Sequence, residues 1–142
     1  MCQIEVIIRL KEFAGPVVGE TTLATHTFDL LDVVAIPRAE RVDRMEEVTL
    51  QEGWRIMRQL FLKQWEVIEQ QELQRRLADP AAQPMQLDGE DSLKVVSRLG
   101  IIELPRQVCS DPTSGTHSIP LNDLLPEHEG PLTTRGLQEW SC

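Results

Sequence analysis

Apolar and polar side chains alternate with a period of two at the start of the chain. Cys2, Ile4, Val6, Ile8 and Leu10 fall on one face, and Gln3, Glu5, Arg9 and Lys11 on the other, with Ile7 the exception. This alternation predicts a half-buried β-strand. Ala14-Gly15-Pro16 breaks the pattern, and a second extended segment is expected over Leu23–Leu30, alternating through Thr25, Thr27 and Asp29. Two such strands form an antiparallel ribbon, which needs a helix or a third strand over its apolar face. Asp32–Ile36 fits either a short strand or a helical turn. Pro37 ends it, and Arg38–Glu47 reads as a charged connector.

The period then changes to that of a helix. Thr49-Leu50-Gln51-Glu52 has the capping-box pattern, in which the threonine hydroxyl and the glutamate satisfy each other's backbone N–H groups. Leu50, Trp54, Met57, Phe61, Trp65 and Ile68 follow at spacings of three and four, a narrow apolar stripe with Leu60 on its shoulder. Asp79-Pro80 supplies the stop. The predicted helix, Leu50–Ala78, is roughly 43 Å long at 1.5 Å per residue, more than one small domain needs. The stripe has two readings. It covers the strand ribbon, or its distal part, Ile68–Leu77, pairs with a second copy of the chain. Heptad continuity fails at Gln64 and Glu72, which argues against a long coiled coil.

Residues 80–92 have linker composition, with two prolines and a glycine among polar and acidic side chains. Leu93–Cys109 reads as a hairpin turning at Arg98-Leu99-Gly100, with Gly100 in the left-handed position. Pro105 lacks an N–H, so the returning strand is expected to be an edge there. Asp111–Gly115 is a turn. Ile119–Pro131 has no periodicity, and Thr133 and Thr134 are N-cap candidates for a helix beginning near Arg135. The expected fold is α+β. A strand pair with one long amphipathic helix occupies residues 1–79, residues 80–92 form a linker, and a hairpin with an irregular tail occupies 93–142.

Composition sharpens this picture in three respects. Hydrophobic residues make up 41% and charged residues 26% of the 142, a globular balance, and with three Trp, three Phe and no Tyr the core must be mostly aliphatic. The net charge of −9 argues against a dominant electrostatic grip on nucleic acid. That charge is uneven. Residues 49–78 carry 5 basic and 4 acidic groups, whereas 1–48 carry 5 and 9, and 79–142 carry 4 and 10. Arg55, Arg58 and Lys63 are too sparse for a nucleic-acid footprint. Cys2, Cys109 and Cys142 are odd in number and far apart. No signal peptide or membrane span is evident, so the expected setting is the reducing cytoplasm, with free thiols and no membrane partner.

Candidate chemistry is thin. Cys109, His117 and His128 have metal-ligand character, but zinc sites need four ligands and Cys109 has no second cysteine nearby. Cys109 and His117 remain weak metal candidates. Cys109 or Ser110 near His117 suggests a nucleophile pair, without an acidic orienter that the sequence can place. The carboxylates sit in turns and charged connectors rather than on converging strands. Phosphate-cradling glycine motifs are absent. No catalytic residue, cofactor or small-molecule substrate is expected. The stripe Leu50, Trp54, Met57, Phe61, Trp65 and Ile68 is the candidate partner surface.

The run LGIIELPRQVCSDPTSGTHSIPLNDLLP (residues 99–126), followed by LTTRGLQEW (132–140), resembles the N-terminal region of cyanobacterial insertion-sequence transposases of the Kra type. In that family a G-x-x-x-L-P-R hairpin precedes a Cys-containing loop, a P-L-N/D segment and a helix opening on T-R-G-L-Q-E-W. ERVDRMEEVTLQEGW (residues 40–54) is similar to the family's upstream stretch. Many relatives carry a C-x-x-C-like knuckle where only Cys109 stands here. The family's acidic nuclease core lies downstream of the Trp140 helix, so none of the matching positions is catalytic. The resemblance implies a transposase front part, truncated or frameshifted. It would lack strand-transfer activity and contribute to binding of element-end DNA or to assembly with itself or the full-length transposase. The alternative is a stand-alone interaction module that uses the Leu50–Ala78 helix.

Overall fold

The computed structural model describes residues 1–79, 85–127 and 130–135. The fold is α+β, as the patterning predicts. The chain divides into two compact units, Met1–Lys63 and Gln64–Cys142.

The first unit opens with β1 (Gln3–Ala14) and β2 (Val17–Asp29), an antiparallel ribbon. Gly15, at φ +63°, begins the two-residue turn between them, a position where a side chain would be strained. Val6, Ile8 and Leu10 are half-buried on the expected face, whereas Cys2 and Ile4 at its start are exposed. β2 begins at Val17, before the Leu23 start that its alternation suggests, and Leu23 is an extra residue at a register shift opposite Ile8 and Arg9. Such a bulge resets the alternation that sequence reading relies on. Beyond it, residues 11–21 are exposed on every side chain, with Arg9 and Lys11 bridging to Glu20 at 3.7 and 3.8 Å. Short 3-10 turns at Val33–Ala35 and Arg38–Glu40 lead into α1 (Arg41–Ala78).

At 38 residues, α1 starts earlier than expected. Its length is roughly 57 Å at 1.5 Å per residue. The segment read as a charged connector is, from Arg41 onward, its first turns, with Asp43 placed to favour the positive end of the helix dipole. The capping box is therefore not a cap. Thr49 lies inside the helix, and its hydroxyl donates to the Met45 carbonyl at 2.7 Å, the back-bond available to a mid-helix threonine. α1 ends at Ala78, ahead of Asp79-Pro80 as predicted.

The second unit begins within α1 and continues through β3 (Gln86–Ser97), β4 (Gly100–Ser110), β5 (His117–Ser118) and β6 (Leu132–Thr133). β3 and β4 form the expected hairpin, flanked in the order β5-β4-β3-β6, with β6 parallel to β3 and β5 antiparallel to β4. Gly100 takes φ +100°, and the Ser97 hydroxyl donates to its carbonyl at 3.0 Å while accepting Leu99 N–H at 3.1 Å. β5 pairs only with Cys109 and Ser110, so β4 carries Pro105 where its outer side is unpaired.

Residues 86–92, expected as linker, are strand, and the unit boundary falls inside α1 rather than in the proline-rich stretch. The polar composition of 86–92 is accounted for across the ladder, where Glu90 accepts from Gln107 at 3.1 Å and Asp91 from Arg106. The core belongs wholly to this unit. Leu93, Val95, Ile102 and Leu104 alternate inward on the hairpin and are buried with Leu73 of α1, Cys109 and Leu121. Leu121 sits in the 3-10 turn Pro120–Leu124. The predicted helix after Arg135, with Trp140 and Cys142, lies outside the described residues, as does His128.

Candidate interaction surface

No residue of Met1–Lys63 is buried. Two strands and a helix in contact would ordinarily hide their apolar faces in each other; here the contact between ribbon and helix includes a polar pair. His26 on β2 and Glu52 on α1 meet at 2.6 Å, both mostly covered. The Glu52 side of the helix thus meets the ribbon, and its neighbours Val48 and Ile56 are half-buried with it. Leu50, Trp54 and Met57 then lie about 140–160° around the helix from Glu52, taking 3.6 residues per turn. They face outward.

The stripe therefore does not cover the ribbon. Leu50, Trp54, Met57 and Ile68 are exposed, Leu50 at 55%, while Phe61 and Trp65 are half-buried. Val42, which was not among the sequence candidates, and Leu60, on the shoulder of the stripe, extend that face; Met45 is also exposed but lies only about 20° around the helix from Glu52. Val33, Val42, Met45 and Leu50 line a shallow apolar cleft of about 470 Å³, together with Arg41, Glu46 and Thr49. Val42 and Met45 went unnoticed because the charges around them resemble a connector. Gly53, half-buried, lies about 100° around the helix from Glu52, with nothing within 4 Å of where a Cβ would stand.

The distal part of the stripe is less available. Between Ile68 and Leu77, the buried residues are Glu69, Glu72 and Leu73, committed to the second unit. Glu69 accepts Gln107 N–H at 3.0 Å, satisfying part of the open side of β4, and burial pushes its carboxyl pKa up. Glu72 accepts from Arg75 at 2.5 Å and from Arg76 at 2.9 Å, and these two guanidiniums hold its pKa down at about 2. Arg76 continues to Asp123, anchoring the Pro120–Leu124 turn. Arg106, 7% exposed, donates to Asp91 and to Asn122. The heptad breaks at Gln64 and Glu72 hinted at this network, but its partners on β3, β4 and the 3-10 turn could not be read from helix spacing.

The remaining candidates separate. Cys109 is buried against the core, which pushes its thiol pKa up. His117 is exposed and lies 3.5 Å from Asp88. Cys109 pairs with Ser118, and Ser110 with His117. Successive side chains on a strand take opposite faces, so Cys109 and His117 cannot ligate one ion. No cluster of three metal-ligating side chains occurs among the described residues. Ser110, His117 and Asp88 do share one neighbourhood. The Asp88 contact is long for a hydrogen bond, and the histidine and aspartate are about half-exposed. A nucleophile needs its base within hydrogen-bond reach.

Among the described residues, no helix is long and apolar enough to cross a membrane. Comparison with known proteins finds no matching family model, curated protein or solved structure.

Proposed function

We propose that this chain is the non-catalytic front part of an insertion-element transposase, acting by docking onto protein rather than by chemistry of its own. The docking role is carried by one observation: Met1–Lys63 buries no side chain while presenting the apolar outward face of α1. Exposed apolar patches of this kind mark protein contacts in molecules that remain dispersed. The element type is supported by the resemblance of residues 40–54, 99–126 and 132–140 to transposases of the Kra type. A cytoplasmic setting with reduced thiols goes with that reading.

Sequencing the DNA immediately downstream tests the assignment. The expected result is a reading frame for an acidic nuclease core, in phase or frameshifted, with inverted repeats flanking the whole. No such frame would leave the second reading, a stand-alone interaction module built on the same α1 face, which the exposure of Leu50, Trp54 and Met57 supports equally. A gel shift with the inverted repeats, at about 50 and 200 mM salt, addresses binding of element ends. No shift at micromolar protein removes DNA from the role and leaves assembly.

A further inference from the structure

We infer that the open edge of β1 pairs, antiparallel, with the same edge of a second copy of this chain, the two-fold axis passing through Ile7 and joining two ribbons into one four-stranded sheet. This edge is a different surface from the outward face of α1, and the pairing stands whether or not that face docks. Three features converge on it.

The first is what β1 leaves unsatisfied. The Leu30 N–H donates to the Cys2 carbonyl at 2.9 Å, in line with the register of the ribbon. Bonds between two antiparallel strands recur at every second residue. The even-numbered residues of β1 are therefore the ones bonded to β2, and Gln3, Glu5, Ile7, Arg9 and Lys11 point their N–H and C=O groups outward. Among the described residues, β1 has β2 as its one strand neighbour, and no backbone bond reaches those outward groups. A long open edge is a template for another strand.

The second is the order of side chains along that edge. His26 lies opposite Val6 and meets Glu52 of α1, so the even-numbered face of β1 turns to the helix and the odd-numbered face to solvent. Ile7, 43% exposed, is the one apolar side chain among the five on the solvent face. An antiparallel pair centred on Ile7 sets it against the second copy's Ile7, and sets Glu5 of each copy against Arg9 of the other. Directly opposed side chains stand about 4.5–5.5 Å apart at Cβ, within reach of an ion pair. Glu5 has no ion-pair or hydrogen-bond partner of its own among the described residues. Arg9 and Lys11 share the single carboxylate of Glu20, at 3.7 and 3.8 Å, which leaves one of the two positive charges unbalanced. On the helix-side face the same register opposes Ile4 to Leu10 and Val6 to Ile8, apolar throughout. Moving the axis to Val6 or Ile8 leaves Ile7 opposed to Glu5 or Arg9, and moving it to Glu5 or Arg9 opposes like charges.

The third is that β2 offers no competing edge. Leu23 bulges from it, and a bulge twists an edge away from further pairing. Its residues include Glu20 and Asp29 and no lysine or arginine. Two copies meeting through β2 would oppose acids alone, so the sheet closes at two copies instead of growing into a fibre.

Sedimentation velocity on the full 142-residue chain, over roughly 1 to 100 µM, tests the pairing. The expected species is a dimer of about 32 kDa, twice the 16.2 kDa of one chain. E5R and R9E should each weaken it about ten-fold, because two attractive contacts become two repulsive ones. An equimolar mixture of E5R with R9E chains should regain the dimer, since both cross pairs are then again of opposite sign. Ile7→Lys should abolish it, with the far-UV circular dichroism unchanged, because two ammonium groups would meet on the axis. The mixture keeps the test decisive if one variant alone folds poorly.

A monomer at the highest concentration overturns the inference. So does a dimer indifferent to all three substitutions, or one that both reversals weaken and the mixture does not restore. Leu50→Asp separates this pairing from docking through α1. A dimer that survives E5R, R9E and Ile7→Lys but is lost in Leu50→Asp overturns the β1 pairing and leaves the α1 surface standing.

Discussion

Two glutamates one turn apart on α1 respond to acid in opposite senses. Glu72, held at about 2 by Arg75 and Arg76, has a folded pKa well below the unfolded value of about 4.3. Its contribution to stability is complete above the unfolded pKa and disappears as pH falls toward 2. Glu69 has a raised pKa, so its ionised form opposes folding, and that opposition is relieved as pH falls through its folded value. Glu72→Gln should accordingly flatten the acid limb of stability below about pH 4.3, read as melting temperature against pH. Glu69→Gln should leave stability at pH 7 equal or higher, because an amide oxygen can still accept Gln107 N–H without a buried charge. A steeper acid limb in Glu72→Gln would contradict the ion-pair assignment. None of this was legible from spacing. Glu69 and Glu72 look like ordinary polar helix positions until Gln107 and the two arginines are placed beside them.

At the scale of elements, legibility followed the range of the interactions. The half-burial of Val6, Ile8 and Leu10 and the turn at Gly100 depend on local alternation and backbone conformation, and both were readable. The stop before Asp79-Pro80 was readable for the same reason. The start of α1 was misread because Thr49 and Glu52 match a cap pattern, and only the three-dimensional contact of Glu52 with His26 shows what that glutamate does. Gln86–Ser92 looked like linker because its polar side chains are answered by Arg106 and Gln107 on the next strand. The hairpin they join carries the core. Leu104 is 1% exposed opposite Leu93. Leu104→Ala should cost about 2–5 kcal/mol by chemical denaturation. A loss under about 1 kcal/mol would mean this layer is not the centre of the core.

At the scale of the whole molecule, burial is divided very unequally. Every buried residue lies in Gln64–Cys142, and the ribbon of Met1–Lys63 has none. Backbone amides should exchange accordingly. In deuterium exchange, β1 and β2 should lose protection first, while Leu93–Val95 and Ile102–Leu104 exchange only with global opening. Uniform protection across both units would show that the ribbon is held by something other than its own contacts. The partner-surface candidates were legible as an apolar stripe. Which side of α1 they would occupy was not, since the helix meets the ribbon through residues 26 positions apart.

The unit boundary at Lys63 falls in the middle of an unbroken helix, and this has a kinetic consequence. Starting a helix is costly because several residues must be fixed before the first hydrogen bond forms, whereas extending one adds a bond for each residue ordered. The Leu73 end of α1 sits in the core and is ordered when the hairpin closes over it. Arg41–Lys63 can then grow backward from that turn without a nucleus of its own. Folding is expected to run against the direction of synthesis, with the last-made half of the chain seeding the first-made half. Until residues beyond Cys109 emerge, the first turns of α1 have no ordered turn to extend.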